Sequence, residues 1–208
     1  MDPIADAVAA VRSGELIVFP TDTVYGIGAD PHDPAATARL FDAKRRPRDL
    51  TLPVLAATLD VARTLARFDD RAERLATALW PGPLTLVMAR SDVSGMWDLG
   101  RERTTIGVRV PSHPLALAVL SAAGPIATTS ANRTGASPAV TCEELHVVFG
   151  DLVAVYLCEE QPLSGAASTV VDLSRTEARI LRTGGVDRAR IRQLLGRRAP
   201  LLDSPPPG

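Results

Sequence analysis

Lys44 and Arg46 stand two positions apart in a chain where arginine otherwise does all the basic work: of 23 basic residues, only Lys44 is a lysine. A lysine kept under that bias points to chemistry that needs a compact ammonium. Further candidates occur in short segments: the hydroxyls Thr21 and Thr23, then Arg109, Ser130 with Asn132, Ser168 with Thr169, and Arg182. Forked guanidinium donors match two oxygens of a carboxylate or phosphate, and an ammonium neutralises a third. The chemistry this set supports is the binding of an anion, polyphosphate or carboxylate. Lys44 to Arg48 also reads as a solvated basic helix end favoured by the macrodipole, with the hydroxyls as caps. That reading leaves Arg109 in TIGVRVP and Arg182 in ARILRTGG unexplained, because an arginine in an apolar run needs an anionic partner or an open cleft.

Other chemistries are excluded by what the spacing lacks. Lys44 is preceded by FDA and followed by Arg45, which is no phosphate-binding P-loop. Gly26 and Gly28 start a GxG with no third glycine at the right place, against a dinucleotide fold. His32, His113 and His146 have no metal-ligand spacing, so no protein-held metal is expected. Ser130 lies in TTSAN and not in a GxSxG elbow, so it reads as a ligand-binding hydroxyl. Cys142 and Cys158 make neither a disulfide framework nor a zinc spacing, and are expected as ordinary thiols. The net charge of -1 denies the protein a general positive field for nucleic acid, so any anion site is local.

These residues must be positioned by a chain of 208 residues, 46% hydrophobic and 23% charged, long enough to bury about 70% of its unfolded surface. No apolar stretch approaches the roughly 18 residues of a membrane span and the start lacks a basic leader, so the expected compartment is the cytoplasm. Helices are predicted at Pro3–Arg12 after an Asp2 cap, Asp33–Ala43, Leu59–Ala66, Asp70–Trp80, Pro114–Ala122 after a Ser112 cap, Thr141–Val148 and Asp187–Leu195. Strands are predicted at Leu16–Phe19, Leu52–Ala56, Leu84–Ala89, Thr105–Val110, Pro125–Thr129, Val153–Leu157, Thr169–Leu173 and Arg179–Arg182. Pro20–Pro34 and Ser130–Ala139 read as structured loops that leave strand ends. The pattern gives one α/β or α+β domain over residues 1–198, with the tail 199–208 expected to be unstructured.

Several segments, in this order, resemble the YrdC-like family, the threonylcarbamoyl-AMP synthases of tRNA modification, in its short single-domain form. They are PTDTVYGIG from Pro20, Lys44-Arg45-Arg46 with Pro47, WPGPLTLV from Trp80, TIGVRVP from Thr105, Ser130-Ala131-Asn132, and STVVD from Ser168. The resemblance runs from Gly14 to about Gly185 and implies an α/β domain, with a large twisted mixed sheet flanked by helices around a concave, positively charged cavity. It implies a nucleotidyltransferase that joins L-threonine, bicarbonate and ATP, with Mg²⁺ accompanying ATP, and releases pyrophosphate. A partner transferase then carries the threonylcarbamoyl group to adenosine 37 of tRNAs reading ANN codons, so tRNA is an indirect partner and no membrane is involved.

Carried over, Lys44, Arg46, Ser130 and Asn132 form a nucleotide tetrad, with Thr105, the backbone near Pro138, and Arg182 completing the ATP contacts. Lys44, Arg46 and Arg182 are the implied catalytic charges. Thr23, Arg109, Thr128 and Ser168 hold threonine, Arg109 through its carboxylate. No dedicated general base stands out, Asp22 being a weak candidate. The chain departs from the family after Pro47, where Asp49-Leu50-Thr51-Leu52 replaces a common DNPL followed by a histidine. It also has Thr183 where a proline is common. Two other readings are carried: a relative that handles a carbamoyl adenylate, and an RNA-binding or ribosome-maturation module without turnover.

Overall fold

The computed structural model describes residues 2–163, 165–196 and 200–203. Its strands are β1 (Ile17–Phe19), β2 (Gly26–Ala29), β3 (Val54–Leu55), β4 (Leu84–Ala89), β5 (Thr105–Arg109), β6 (Ile126–Ser130), β7 (Val155–Tyr156), β8 (Thr169–Asp172), β9 (Ala178–Arg182) and β10 (Leu201–Asp203). Its helices are α1 (Pro3–Arg12), α2 (Pro34–Lys44), α3 (Leu59–Leu65), α4 (Asp70–Leu79), α5 (Pro114–Ala123), α6 (Cys142–Phe149) and α7 (Arg188–Leu195). The strands form one mixed sheet in the order β10-β9-β8-β4-β5-β3-β6-β2-β1-β7. No helix among the described residues is long and apolar enough to cross a membrane.

Successive residues of a strand face opposite sides of a sheet, and here that alternation feeds two separate cores. Ile17, Phe19, Leu55 and Ile126 join Ala7 and Val11 of α1 and Val119 and Leu120 of α5. Val18, Ile27, Val54 and Leu86 join the buried faces of α2, α3, α4, α6 and α7. Among the described residues, one face of the sheet is therefore covered by five helices, and the other by α1 and α5. Those two reach β1, β3 and β6, and leave the same face open over β4, β5 and β8.

The helix starts follow the capping chemistry. Asp2 accepts from the Ile4 N–H ahead of α1, Asp33 from Ala35 ahead of α2, and Thr141 from Glu144 ahead of α6. At α5 the predicted Ser112 cap is corrected: the N-cap is His113, without a side-chain capping bond, and the Ser112 N–H donates to Asp22 instead. Helix α2 ends at Arg45, whose left-handed backbone (φ 50°) is unusual for a residue other than glycine.

Two strands lie where none was predicted. Gly26–Ala29 form β2 inside the segment read as a loop, paired with β1 and β6. Its glycines allow the close approach, since a Cβ at Gly28 would lie 2.6 Å from the Ile126 side chain. Leu201–Asp203 form β10, parallel to β9, so the unstructured tail is corrected there, while residues 204–208 lie outside the described residues.

The cysteines are also corrected. Cys142 at the start of α6 and Cys158 just after β7 form a disulfide, with Cα atoms 5.7 Å apart. Tertiary structure alone brings them together. The bond closes a span of 16 residues, and its loss should lower the unfolding free energy by about 3 kcal/mol through the freed unfolded chain. Thermal unfolding with and without a dithiol reductant, or of the Cys142→Ser, Cys158→Ser variant, should show a Tm lower by about 6–12 °C. An unchanged Tm would mean that the cross-link contributes nothing.

Candidate functional site

The open stretch of the sheet is the floor of a cavity of about 300 Å³. Residues of neighbouring strands line it, among them Val170 of β8, Thr85 and Val87 of β4, Gly107 and Arg109 of β5, Leu55 of β3, and Thr128 and Ser130 of β6. Pairing sets these in rows, with Thr85 opposite Val170, Val87 opposite Gly107, and Leu55 opposite Arg109. A Cβ on Gly107 would stand 3.3–3.4 Å from Pro53 and Thr85, so this glycine keeps the floor low. The lining contains three arginines, Arg46, Arg109 and Arg182, and no aspartate or glutamate.

Arg109 is almost fully buried and is held at three points. Its Nε donates to the Gly82 carbonyl at 3.0 Å, one terminal nitrogen to Thr23 Oγ1 at 2.9 Å, and the other to Asp22 Oδ1 at 2.6 Å. Burial pushes the Arg109 pKa down, and the Asp22 charge opposes that shift. Thr21 Oγ1 donates to the Val24 carbonyl at 2.6 Å, so in the 2.9 Å contact between the hydroxyls Thr23 donates to Thr21. Thr23 is left with one lone pair for a ligand.

At the β8 end, Arg182 donates through Nε to the Ser168 carbonyl and through a terminal nitrogen to Ser168 Oγ, both at 3.0 Å. Ser168 Oγ lies 2.9 Å from Thr85 Oγ1. Arg46 is fastened to its own loop, donating to the Leu50 and Thr51 carbonyls at 2.7 and 3.0 Å. Burial and then the nearby Arg182 charge lower its pKa, so these two guanidiniums sense each other. Neither forms an ion pair with a carboxylate among the described residues.

Of the residues expected at the site, Thr23, Arg46, Arg109, Thr128, Ser130, Ser168 and Arg182 line the cavity. Lys44, Thr105, Asn132 and Pro138 do not. Thr105 starts β5, its carbonyl accepting from Arg90, and Pro138 is exposed in the loop after β6. Asn132 Nδ2 donates to the Arg133 and Ala136 carbonyls and shapes that loop.

Lys44 is held by the turn after β6. Only 1% exposed, it donates to the Ser130 and Asn132 carbonyls at 2.5 Å each. With the left-handed Arg45 between them, Lys44 is buried while Arg46 lines the cavity. Burial first, then the charges of Arg46 and Arg133, bring the Lys44 pKa down to about 7. Asp22 does not line the cavity either, its Oδ1 accepting from Arg109 and from the Ser112 N–H. Thr85 is one of the polar lining residues that reasoning from sequence missed, with Tyr25, Thr51 and Thr129. It stands in WPGPLTLV, where alternation alone would have placed it opposite Leu84 and Leu86.

Among the described residues no group of three or more His, Cys, Asp or Glu could hold a metal ion. Residues 9–184 match the family model for Sua5, YciO and YrdC, described as "Telomere recombination". A Mycobacterium tuberculosis protein, provisionally named a threonylcarbamoyl-AMP synthase, is 43% identical over 93% of this chain and 89% of its own length. The threonylcarbamoyl-AMP synthase of Vibrio parahaemolyticus is 36% identical over 88% of this chain and all of its own. The crystal structure of Pyrococcus abyssi Sua5 with L-threonine superposes with a TM-score of 0.85 at 33% identity, covering 95% of this chain and 58% of that one.

Proposed function

The chain belongs to the Sua5, YciO and YrdC family, and we propose that it makes threonylcarbamoyl-AMP and pyrophosphate from L-threonine, bicarbonate and ATP. The observation that carries this reading is the division of the arginines on one cavity floor. Arg109 is fixed and paired with Asp22, while Arg46 and Arg182 face the cavity without a carboxylate. A paired fork suits the carboxylate of an amino acid, and unpaired guanidiniums suit a polyphosphate.

In the reaction the threonine amine adds to carbon dioxide formed from bicarbonate, and a carbamate oxygen attacks the α-phosphorus of ATP as pyrophosphate leaves. Negative charge builds on the phosphoryl oxygens, where Arg46 and Arg182 stabilise it. Lys44 acts at one remove, by holding the Ser130–Asn132 turn. Mg²⁺ bound with ATP would neutralise phosphate charge, and no aspartate or glutamate among the described residues lines the cavity to hold it. Juxtaposition of three reactants on a rigid floor supplies much of the acceleration. The product passes to a transferase acting on adenosine 37 of tRNAs reading ANN codons, which makes tRNA an indirect partner. We place the reaction in the cytoplasm. A reducing compartment works against the Cys142–Cys158 bond, yet neither cysteine lines the cavity.

The test is pyrophosphate release from ATP with Mg²⁺, with threonine and bicarbonate each present or omitted. Release that requires both is the expected result. Release with a different carbamoyl substrate would favour the carbamoyl-adenylate relative. Salt-sensitive RNA binding without turnover would favour the binding module.

A further inference from the structure

Arg109 reaches the cavity with its charge already answered from behind. Asp22 Oδ1 accepts from Arg109 at 2.6 Å and from the Ser112 N–H at 2.8 Å, while Asp22 Oδ2 is buried without a hydrogen-bond partner among the described residues. Such an oxygen keeps its negative potential, and an unpartnered buried carboxylate oxygen calls for an explanation. Asp22 is absent from the lining, so it acts through Arg109 and through its field. The two residues together are close to neutral. The other end of the cavity, with Arg46 and Arg182, carries positive charge with no carboxylate beside it.

We propose that Asp22 is the specificity-determining residue of the Arg109 end, selecting a zwitterion, with an ammonium beside its carboxylate, over a simple carboxylate or phosphate anion. The inference rests on the threonine reading above and adds what that reading does not contain. A bare anion placed on Arg109 gains little, because Asp22 already answers the guanidinium charge, whereas the ammonium of an amino acid is attracted by Asp22. The same field keeps ATP phosphates off Arg109 and directs them to Arg46 and Arg182. Competition between two anionic groups for three arginines is thereby removed without any steric barrier.

The experiment titrates L-threonine and 3-hydroxybutyrate, which keeps the carboxylate and hydroxyl but lacks the amine, into wild type and Asp22→Asn. Calorimetry is run with and without ATP, bicarbonate being withheld. Asparagine retains the Oδ1 acceptor for both Arg109 and Ser112, so the variant changes charge with little change of geometry. Wild type should favour threonine, and the preference should fall about tenfold in Asp22→Asn, the effect of one charge acting over several ångströms. A structural defect would weaken both ligands alike and leave the ratio unmoved, and an unmoved ratio in the folded variant overturns the proposal. If Asp22→Asn does not fold, wild type still decides, because equal binding of the two ligands overturns the proposal. Wild type that binds 3-hydroxybutyrate but no threonine would overturn the threonine reading itself.

Discussion

Lys44→Met is expected to lower the unfolding free energy by about 2 kcal/mol, a fall of about 4–8 °C in Tm, and to cut pyrophosphate release by about a hundredfold. Methionine fills the space but donates nothing. The Asn132 carbonyl then loses its donor, and the Ser130 carbonyl keeps only the Asn132 N–H. Ser130 Oγ donates to Asn132 Oδ1 at 2.6 Å, so a relaxed turn moves the hydroxyl that lines the cavity. Thermal unfolding and initial rates measured on the same preparation check both halves. A variant with normal stability and no activity would put the ammonium on substrate and not in the turn.

The same residue gives stability a pH dependence whose sign can be worked out. Its pKa falls from 10.5 to about 7 on folding, mainly through burial. Below pH 7 both states hold the proton, and the full cost of burying the charge is present. Between about 7 and 10.5 the unfolded chain holds a proton that the folded protein lacks, so stability rises with pH across that window. The slope contributed by Lys44 is at most about 1.4 kcal/mol per pH unit. The difference between wild type and Lys44→Met in denaturant titrations at pH 6.5, 8 and 9.5 isolates it. A difference that does not grow with pH would show that Lys44 stays protonated in the folded state.

What was legible in the sequence, and what was not, follows from the range of the forces involved. Helix starts at Asp2, Asp33 and Thr141 are local chemistry and were placed within a residue of where they occur. Strands with alternating or continuous apolar residues, such as Leu84–Ala89, were equally plain. Strand β2 was not, because Gly26 and Gly28 read as turn formers until Thr128 and Ile126 are seen packed against them. At the site, motif order brought Arg46, Arg109, Ser168 and Arg182 to one cavity. The lysine singled out by composition lies buried and Arg46 faces the cavity, with the left-handed Arg45 between them. Charge patterning does not report such a difference.

Arg182→Ala is expected to cut pyrophosphate release by about 10²–10³ while leaving the fold and threonine binding nearly intact. Arg182 is exposed at the end of β9, so its removal opens no core, and Ser168 Oγ keeps its contact with Thr85. The loss falls on a guanidinium that faces the cavity without an ion-pair partner among the described residues, where the proposed reaction would build charge. Arg182→Lys restores the charge without the fork and should recover part of the rate, since Lys cannot donate to the Ser168 carbonyl and Oγ in parallel. Arg109→Ala provides the contrast: it leaves Asp22 buried and unpaired, so it should lose both stability and threonine binding. If Arg182→Ala instead raised the KM for threonine at a near-normal kcat, Arg182 would be a support for Ser168, and Arg46 would carry the phosphoryl charge alone.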